Sequence, residues 1–394
     1  MQKIVIKNFG PISNAEIEIK KAVVLIGENA IGKSTIIKLI STFLWIEKAL
    51  FRGSDKKWFE KESRLKNSFL PYHRIESFIK ENSVIEYYGK AYTMKYRNDK
   101  ISIEDQMNNS YQLPQIMYVP AERNFISYVR NAKKDLKLSG ALLDFTSEYY
   151  YAAENLKNSL VLPIRDFEIE YNKRHEMLYV KSKNHKIKIT EAASGLQSSI
   201  PLYLVSDYLS KLVRNSKENE DMTTSDNIKF QKEINTILND NNLSEKQKHI
   251  AISALSSKFN KKAFINIVEE PEQNLFPVSQ MQMLKSLVSF CNQNADNKLI
   301  ISTHSPYVLA TINNLILANK VGKKFPEKVG KKINKQLWLN YDDIFAGIVR
   351  EGTVEQIIDT DFDMIQVEQI DSVSQVINEE FDFLYQYETA ENNA

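Results

Sequence analysis

The residues with the clearest chemistry form a glycine-rich loop near the N-terminus. An apolar run, Ala22-Val-Val-Leu-Ile26, leads into Gly27-Glu28-Asn29-Ala30-Ile31-Gly32-Lys33-Ser34-Thr35. The glycines allow a tight turn with inward backbone N–H groups, and a helix after Gly32 adds the positive end of its dipole. This pattern predicts a phosphate-binding loop: Lys33 reaches the β- and γ-phosphates of a nucleotide, Ser34 ligates Mg²⁺ and Thr35 contacts the α-phosphate.

Polar residues follow two further predicted strands. Glu269 and Glu270 come directly after the apolar run 263–268, and His304 follows the run 298–302. Ligands of open α/β sheets sit at the carboxyl ends of strands. Although an isolated histidine is usually structural, these positions predict one site shared with the glycine-rich loop.

A fourth polar element opens a predicted helix that continues to about Leu209. Its first residues, Ser194-Gly195-Leu196-Gln197, supply a hydroxyl and free N–H groups. These groups suit a second anion site by the same physics as the first. A simple helix N-cap remains the alternative interpretation of these residues taken alone.

Composition limits the class of protein. The chain has 394 residues, 43% hydrophobic and 26% charged, which predicts a globular protein with two or three packed units. A net charge of +2 argues against a molecule held mainly by nucleic-acid phosphates. The single cysteine, Cys291, excludes an intrachain disulfide and a cysteine zinc cluster. No apolar run approaches the roughly 18 residues of a membrane span, so we expect a cytoplasmic protein.

The pattern of apolar residues divides the chain into six predicted segments. Residues 1–50 hold a hairpin, the strand before the glycine-rich loop and the helix after it, and residues 51–113 form an inserted α+β lobe with helical pieces at 57–67 and 72–81 and strands at 84–88, 92–96 and 100–103. Residues 114–213 hold a core strand, helices within 125–160, short strands within 164–189 and the helix from Ser194, and residues 214–262 form a polar insertion with helices near 230–238 and 244–257. Residues 263–320 hold the last core strands with a helix at 279–292 between them, and residues 321–394 form a C-terminal extension.

Charge is unevenly distributed along the chain. Residues 52–66 are basic, which indicates either a solvated helix face or a contact with nucleic acid or a partner. Residues 320–335 hold seven lysines, whereas residues 355–394 hold eleven acidic residues and no lysine or arginine. The acidic stretch predicts a docking surface or a helix packed beside the basic segment. Its Asp359, Asp361 and Asp363 lack the glycine and distal glutamate of a calcium loop, which argues against a metal site there.

The order of these elements resembles the ABC-type ATPase heads of the SMC and RecF-like group. Ser194–Gln197 looks like the signature motif, Phe264–Glu270 like Walker B, Glu272–Leu275 like the D-loop and His304 like the switch histidine. The resemblance implies an α/β fold, with a P-loop core sheet, an antiparallel β subdomain and an inserted helical lobe.

Several short sequence motifs are similar to those of the compact OLD-like ATPases of prokaryotic anti-phage systems such as Septu and PARIS. The similar stretches are Asn8–Ile12, Tyr118–Arg123, Ala193–Gln197, Glu269–Leu275 and the ending from Gly352 to Ser374. In those systems the ATPase works with a nuclease or another toxic effector. Only about 75 residues follow the predicted core, too few for the nuclease domain of OLD proteins.

This sequence departs from the family pattern at two places. Glu269 stands where Walker B usually has aspartate, which predicts slow turnover. Ala121 stands where a Q-loop glutamine is expected, with Glu122 or Arg123 as replacements.

The resemblance also implies roles and partners. Lys33, Glu270 and His304 would act in hydrolysis of ATP, and Ser34 and Glu269 would hold Mg²⁺. Gly27, Glu28, Asn29, Gly32, Lys33, Ser34 and Thr35 would bind ATP in one copy, and Ser194, Gly195 and Gln197 would close over it from a second copy. We expect a homodimer or higher homo-oligomer, a separate effector and no membrane contact. Two alternatives stay open: an ATPase that clamps duplex DNA, and a nucleotide-gated scaffold without catalysis.

Overall fold

The computed structural model describes residues 2–106, 111–128, 137–216 except 166 and 184, 262–366 except 360, 372–391 and a few isolated positions between 217 and 261. The strands are β1 (Lys3–Phe9), β2 (Ile12–Glu18), β3 (Ala22–Ile26), β4 (Val84–Tyr88), β5 (Tyr92–Arg97), β6 (Lys100–Asp105), β7 (Pro114–Val119), β8 (Leu160–Val161), β9 (Glu168–Asn172), β10 (Met177–Lys181), β11 (Lys186–Lys188), β12 (Ala263–Glu269), β13 (Lys298–Thr303), β14 (Ile344–Arg350), β15 (Thr353–Gln356), β16 (Ile358–Asp359) and β17 (Met364–Ile365). The helices are α1 (Lys33–Phe51), α2 (Lys56–Phe59), α3 (Gly140–Glu154), α4 (Ser194–Ser216), α5 (Pro277–Asn292), α6 (Pro306–Gly322), α7 (Pro326–Lys332) and α8 (Ser372–Glu391).

One large sheet organises the described residues. Its strand order is β6-β5-β4-β1-β2-β15-β14-β3-β13-β12-β7. The five strands from β14 to β7 run parallel, and β6 through β2 form an antiparallel extension. Strands β3 and β12 are buried at every position, because helices cover both faces of the parallel half.

Alternation along β3 builds a core on each face of the sheet. Val23 and Leu25 pack with the apolar faces of α1 and of the antiparallel strands. Val24 and Ile26 pack on the other face, against α3, α4, α5 and α6. Successive side chains of a strand point to opposite faces, so one apolar pentapeptide stabilises both layers.

The predicted end of the core at residue 320 is wrong. Strand β14 lies directly beside β3 in parallel register, with Phe345 opposite Val23 and Ile348 opposite Ile26. The C-terminal segment therefore supplies a central strand. Its run from Ile344 to Val349 is buried throughout, as a strand inside a parallel sheet requires.

The segment predicted as an inserted lobe is attached more closely than expected. Its three strands form as predicted, and β4 pairs with β1, so they extend the main sheet. The helical pieces expected at 57–67 and 72–81 are instead single turns, among them α2 and a π-helical turn at Leu65–Phe69. The helices predicted near 230–238 and 244–257 lie almost entirely outside the described residues.

A small antiparallel sheet, β11-β10-β9-β8, flanks α3, and β16 pairs with β17. None of the described helices combines the length and the apolar character that a bilayer crossing requires.

Candidate nucleotide-binding site

The glycine-rich loop connects the buried end of β3 to α1. Gly27 and Gly32 have φ of 145° and 110°, in the region that favours glycine. A Cβ atom on Gly27 would lie 2.6 Å from the carbonyl oxygen of Val349, and one on Gly32 would lie 2.3 Å from Ile12. The loop thus needs glycine at both positions, and no described side chain caps the N-terminus of α1. Free N–H groups there suit an anion.

Lys33 lies within this loop. Its Nζ donates to the carbonyl oxygens of Gly27 (2.8 Å) and Glu28, and its side chain is almost fully buried. Burial lowers the pKa of Lys33 to about 8, and the nearby carboxylates of Glu270, Glu272 and Glu28 oppose that shift. A phosphate group in the loop would offer the ammonium better acceptors than these two carbonyls.

The predicted meeting of strand ends is observed. Parallel pairing sets Thr303 beside Ile26 and Glu269 beside Ser302, so the carboxyl ends of β3, β13 and β12 share one edge. His304 bridges them: its Nδ1 lies 2.9 Å from the carbonyl oxygen of Gly27 and its Nε2 lies 3.3 Å from Oε1 of Glu270.

Glu270 is held as an anion in an uncommon backbone conformation. Its φ is 44°, and its N–H donates to the carbonyl oxygen of Ser302 at 2.9 Å. The hydrogen bond with His304 is the main cause that lowers the pKa of Glu270, and partial burial opposes it. A charged carboxylate therefore faces the mouth of the glycine-rich loop.

Glu272 positions the histidine, a role that the sequence alone did not reveal. Its Oε1 accepts from the backbone N–H of His304 and from the hydroxyl of Thr303, both at 2.7 Å. The other oxygen, Oε2, is buried and has no hydrogen-bond partner in the described part of the chain. Since Glu272 opens the D-loop segment, that segment is coupled directly to His304.

The predicted metal ligands offer oxygen atoms of the kind that Mg²⁺ prefers. Glu269 is almost fully buried; its Oε1 accepts from the Tyr118 hydroxyl and lies 3.8 Å from Nζ of Lys38. Ser34 is the second residue of α1, next to Lys33. No cluster of three or more His, Cys, Asp or Glu side chains occurs among the described residues. Mg²⁺ would therefore depend on one hydroxyl, one carboxylate, phosphate oxygens and water, the usual pattern for nucleotide sites.

Ser194 and Gly195 form the first turn of α4, as predicted, and this turn packs on the D-loop segment. A Cβ on Gly195 would lie 2.6 Å from the carbonyl oxygen of Asn274, and the Ser198 hydroxyl donates to that of Gln273 at 2.9 Å. No hydrogen bond in the described residues joins this turn to residues 27–35.

The predicted contact of Gln197 with nucleotide is not compatible with its position. Its side chain is buried, and its Nε2 donates to the Tyr128 hydroxyl and to the Ala192 carbonyl oxygen, each at 2.9 Å. The amide is thus hydrogen-bonded within its own chain, where it holds the residues that precede α4 in place. We assign Gln197 a structural role.

Arg123 is also structural and does not replace the missing Q-loop glutamine. It is fully buried, and its guanidinium donates to the carbonyl oxygens of Ser198, Pro120, Glu269 and Glu270. Burial lowers the pKa of Arg123 to about 10, and the surrounding carboxylates oppose that shift. One side chain therefore ties the first turns of α4 to the backbone of both glutamates. Glu122 is exposed on the adjacent rim.

A strand, a glycine-rich loop and a helix at the carboxyl edge of parallel strands define the class: a P-loop nucleotide-binding α/β domain. The model of the AAA ATPase domain family matches residues 1–309, and the chain belongs to this family.

Solved structures similar to this chain share little sequence with it. The SMC head domain from Thermotoga maritima is 9% identical, covers 90% of this chain and 97% of its own, and gives a TM-score of 0.36. The recombination mediator protein RecF is 11% identical, with coverages of 91% and 98% and a TM-score of 0.32. The ATP-binding cassette MJ0796, in a dimer bound to ADP and phosphate, is 11% identical, with coverages of 89% and 96% and a TM-score of 0.30. No curated protein matches the chain.

Proposed function

We propose that this protein binds and hydrolyses ATP and that two copies close over the nucleotide in a head-to-tail dimer. The observation that carries the proposal is the convergence of Lys33, His304 and Glu270 at the mouth of the glycine-rich loop. A cation that can bind phosphate oxygens and an anionic carboxylate beside an imidazole that can orient a water are groups suited to phosphoryl transfer to water.

Each group then has a defined task. On nucleotide binding, the Lys33 ammonium exchanges the carbonyl oxygens of the loop for phosphate oxygens. Glu270 orients the attacking water, and His304, fixed by Glu272, contacts the γ-phosphate. Mg²⁺ held by Ser34 and Glu269 would neutralise charge on the β- and γ-phosphates. The products are ADP and inorganic phosphate.

The first turn of α4, with Ser194 and Gly195, is called the signature turn below. It needs a second copy of the chain in order to contact a nucleotide. Ser194 and Gly195 lie at the N-terminus of α4, yet this turn packs on Gln273 and Asn274 of its own chain, and no hydrogen bond among the described residues joins it to the glycine-rich loop. In a head-to-tail dimer this turn reaches the γ-phosphate of the partner. ATP then joins the two copies, and hydrolysis loosens them.

Complementation between two inactive variants tests this arrangement. Lys33→Ala should bind nucleotide at least 100-fold more weakly, and Ser194→Arg should block the turn that begins α4, so each variant alone should be inactive. A mixed dimer has one intact site, formed by the glycine-rich loop of the Ser194→Arg chain and the signature turn of the Lys33→Ala chain. We expect an equimolar mixture to recover roughly a quarter of wild-type ATPase activity if sites are independent.

A matched mixture distinguishes the shared site from a trivial rescue. Lys33→Ala and Glu270→Gln alter the same half of the site, so their mixture should stay inactive. Recovery in that mixture, or none in the first mixture with both variants folded by circular dichroism, would reject the composite site.

We infer further that the ATPase controls a separate effector, a nuclease or toxin, in anti-phage defence. The similarity of its motifs to those of the OLD-like ATPases supports this. Co-purification of tagged protein from its native host tests it: a stably bound nuclease or toxin is expected, and its absence during phage challenge would count against the proposal.

Contact with duplex DNA is the second candidate, because residues 323–335 expose a dense group of six lysines. Of its basic residues, the 52–66 segment exposes only Lys57, Lys61 and Lys66, since its Arg52 is buried and its Arg64 stacks on Trp58. DNA binding through these lysines would weaken steeply with salt, which filter binding at 50 and 200 mM NaCl measures.

A further inference from the structure

Helix α8 exposes an apolar surface that a lone helix in water would not retain without a partner. Its described side chains from 376 to 387 are all exposed. The large apolar ones are 51–66% exposed: Val376, Ile377, Phe381, Phe383, Leu384, Tyr385 and Tyr387. Phe381 stacks on Tyr385 with ring centroids 6.0 Å apart, and Phe383 meets Tyr387 edge-on at 5.1 Å. We call these exposed side chains the apolar strip of α8. Strips of this kind mark interaction sites.

The helix is also uniformly acidic. Residues 372–391 include five acidic side chains and no lysine or arginine. A partner surface must therefore combine apolar groups with cations.

The same chain carries a surface of that composition, which we call the lysine surface. It consists of the end of α6, with α7 and the turn after it, and exposes Lys323, Lys324, Lys328, Lys331, Lys332 and Lys335. Val321 and Phe325 are exposed between them, at 37% and 53%. Lys328 Nζ lies 6.0 Å from the Phe325 ring centroid, so charge and apolar area alternate at close range.

The acidic segment before α8 already uses this type of contact. Lys320 pairs with Asp363 at 2.8 Å, and Asn313 of α6 makes two hydrogen bonds with the backbone of Ile365, both 2.8 Å. The chain thus runs along α6 just before α8 begins. Despite this proximity along the chain, the side chains of α8 from 376 to 387 and the six lysines of the lysine surface are exposed in the same molecule.

We propose that α8 of one copy docks on the lysine surface of a second copy, and that this contact joins copies without nucleotide. Two copies can exchange their helices reciprocally, which makes the contact isologous. The apolar strip would supply affinity, and the opposite charges would fix partner and orientation. This contact is separate from the ATP-closed interface and does not depend on the proposed function.

The test measures mass in solution without nucleotide, by light scattering after nuclease treatment. Full-length protein at about 10 μM should be at least dimeric, and a chain ending at Gln366 should be monomeric. Glu379→Lys with Glu380→Lys and Asp382→Lys should weaken association at least tenfold, as should Lys328→Glu with Lys331→Glu and Lys332→Glu. A chain that carries both sets of charge reversals should associate as the wild type does.

A matched reversal controls for net charge. Lys57→Glu with Lys61→Glu and Lys66→Glu changes three exposed lysines elsewhere and should leave the mass unchanged. Lys33→Ala should also leave it unchanged, which separates this contact from the ATP dimer. A monomeric full-length protein, an unchanged mass after truncation at Gln366, failure of the combined reversal, or loss of the oligomer on nuclease treatment would each overturn the proposal.

Discussion

Replacing Lys33 with alanine is expected to weaken binding of MgATP at least 100-fold. The buried ammonium donates to two loop carbonyls that face the phosphate position, and alanine leaves no cation there. Two charge-assisted hydrogen bonds to phosphate contribute about 3 kcal/mol or more, which corresponds to that factor. Isothermal titration calorimetry with a slowly hydrolysed ATP analogue measures the change.

A lysine far from the site provides the control for Lys33→Ala. Lys173 is exposed in the turn between β9 and β10, so Lys173→Ala should bind the nucleotide as the wild type does. Wild-type affinity in Lys33→Ala would show that the loop does not hold the triphosphate.

The same lysine predicts how affinity varies with pH. Its pKa in the free protein is about 8, and a bound triphosphate raises it by stabilising the charged form. Affinity is therefore full below pH 8 and falls above it, by about tenfold between pH 7 and 9, with uptake of a proton on binding. Titrations in buffers of different ionisation enthalpy measure both quantities, and a flat affinity over that range would contradict the assignment.

Glu270→Gln should separate nucleotide binding from hydrolysis. The amide keeps the shape of the side chain but cannot act as the anion that orients water beside His304. We expect the turnover rate to fall by about 10²–10⁴-fold while MgATP affinity stays within a few-fold. Since the nucleotide is then not consumed, the ATP-closed dimer should accumulate in analytical ultracentrifugation.

Glu104→Gln is the control for this change, because Glu104 is exposed on β6 at the distant edge of the sheet. Equal ATPase rates in wild type and Glu270→Gln would reject Glu270 as the catalytic carboxylate. No measurable turnover in the wild type would favour the alternative of a nucleotide-gated scaffold without catalysis.

The parts of the site that could be predicted from the sequence are those set by local rules. An apolar pentapeptide, two glycines and a lysine specify the strand, the turn and the cation of Lys33 within a few residues. Parallel strands place their carboxyl ends together, which is why Glu270 and His304 could be expected at the loop.

The parts that were missed depend on contacts between distant segments. Arg123 looks like a surface residue in a polar turn, and its burial becomes visible only when the carbonyl groups of β12 and α4 surround it. Gln197 sits in a motif associated with ligand, yet neighbouring carbonyls take up its amide. Strand β14 was overlooked because the charge of its flanking segments dominated the pattern.

The position of β14 has a consequence for how the molecule is made. The carbonyl oxygen of Val349 lies against Gly27, and β3 pairs with a strand more than 300 residues further along the chain. Pairing between such distant segments is slow, because the long intervening stretch of chain must be closed into a loop first. During synthesis, the nucleotide pocket therefore cannot take its final shape until residue 349 has left the ribosome. Chains that stop before residue 349 would lack one wall of this pocket, and we expect them to bind ATP poorly.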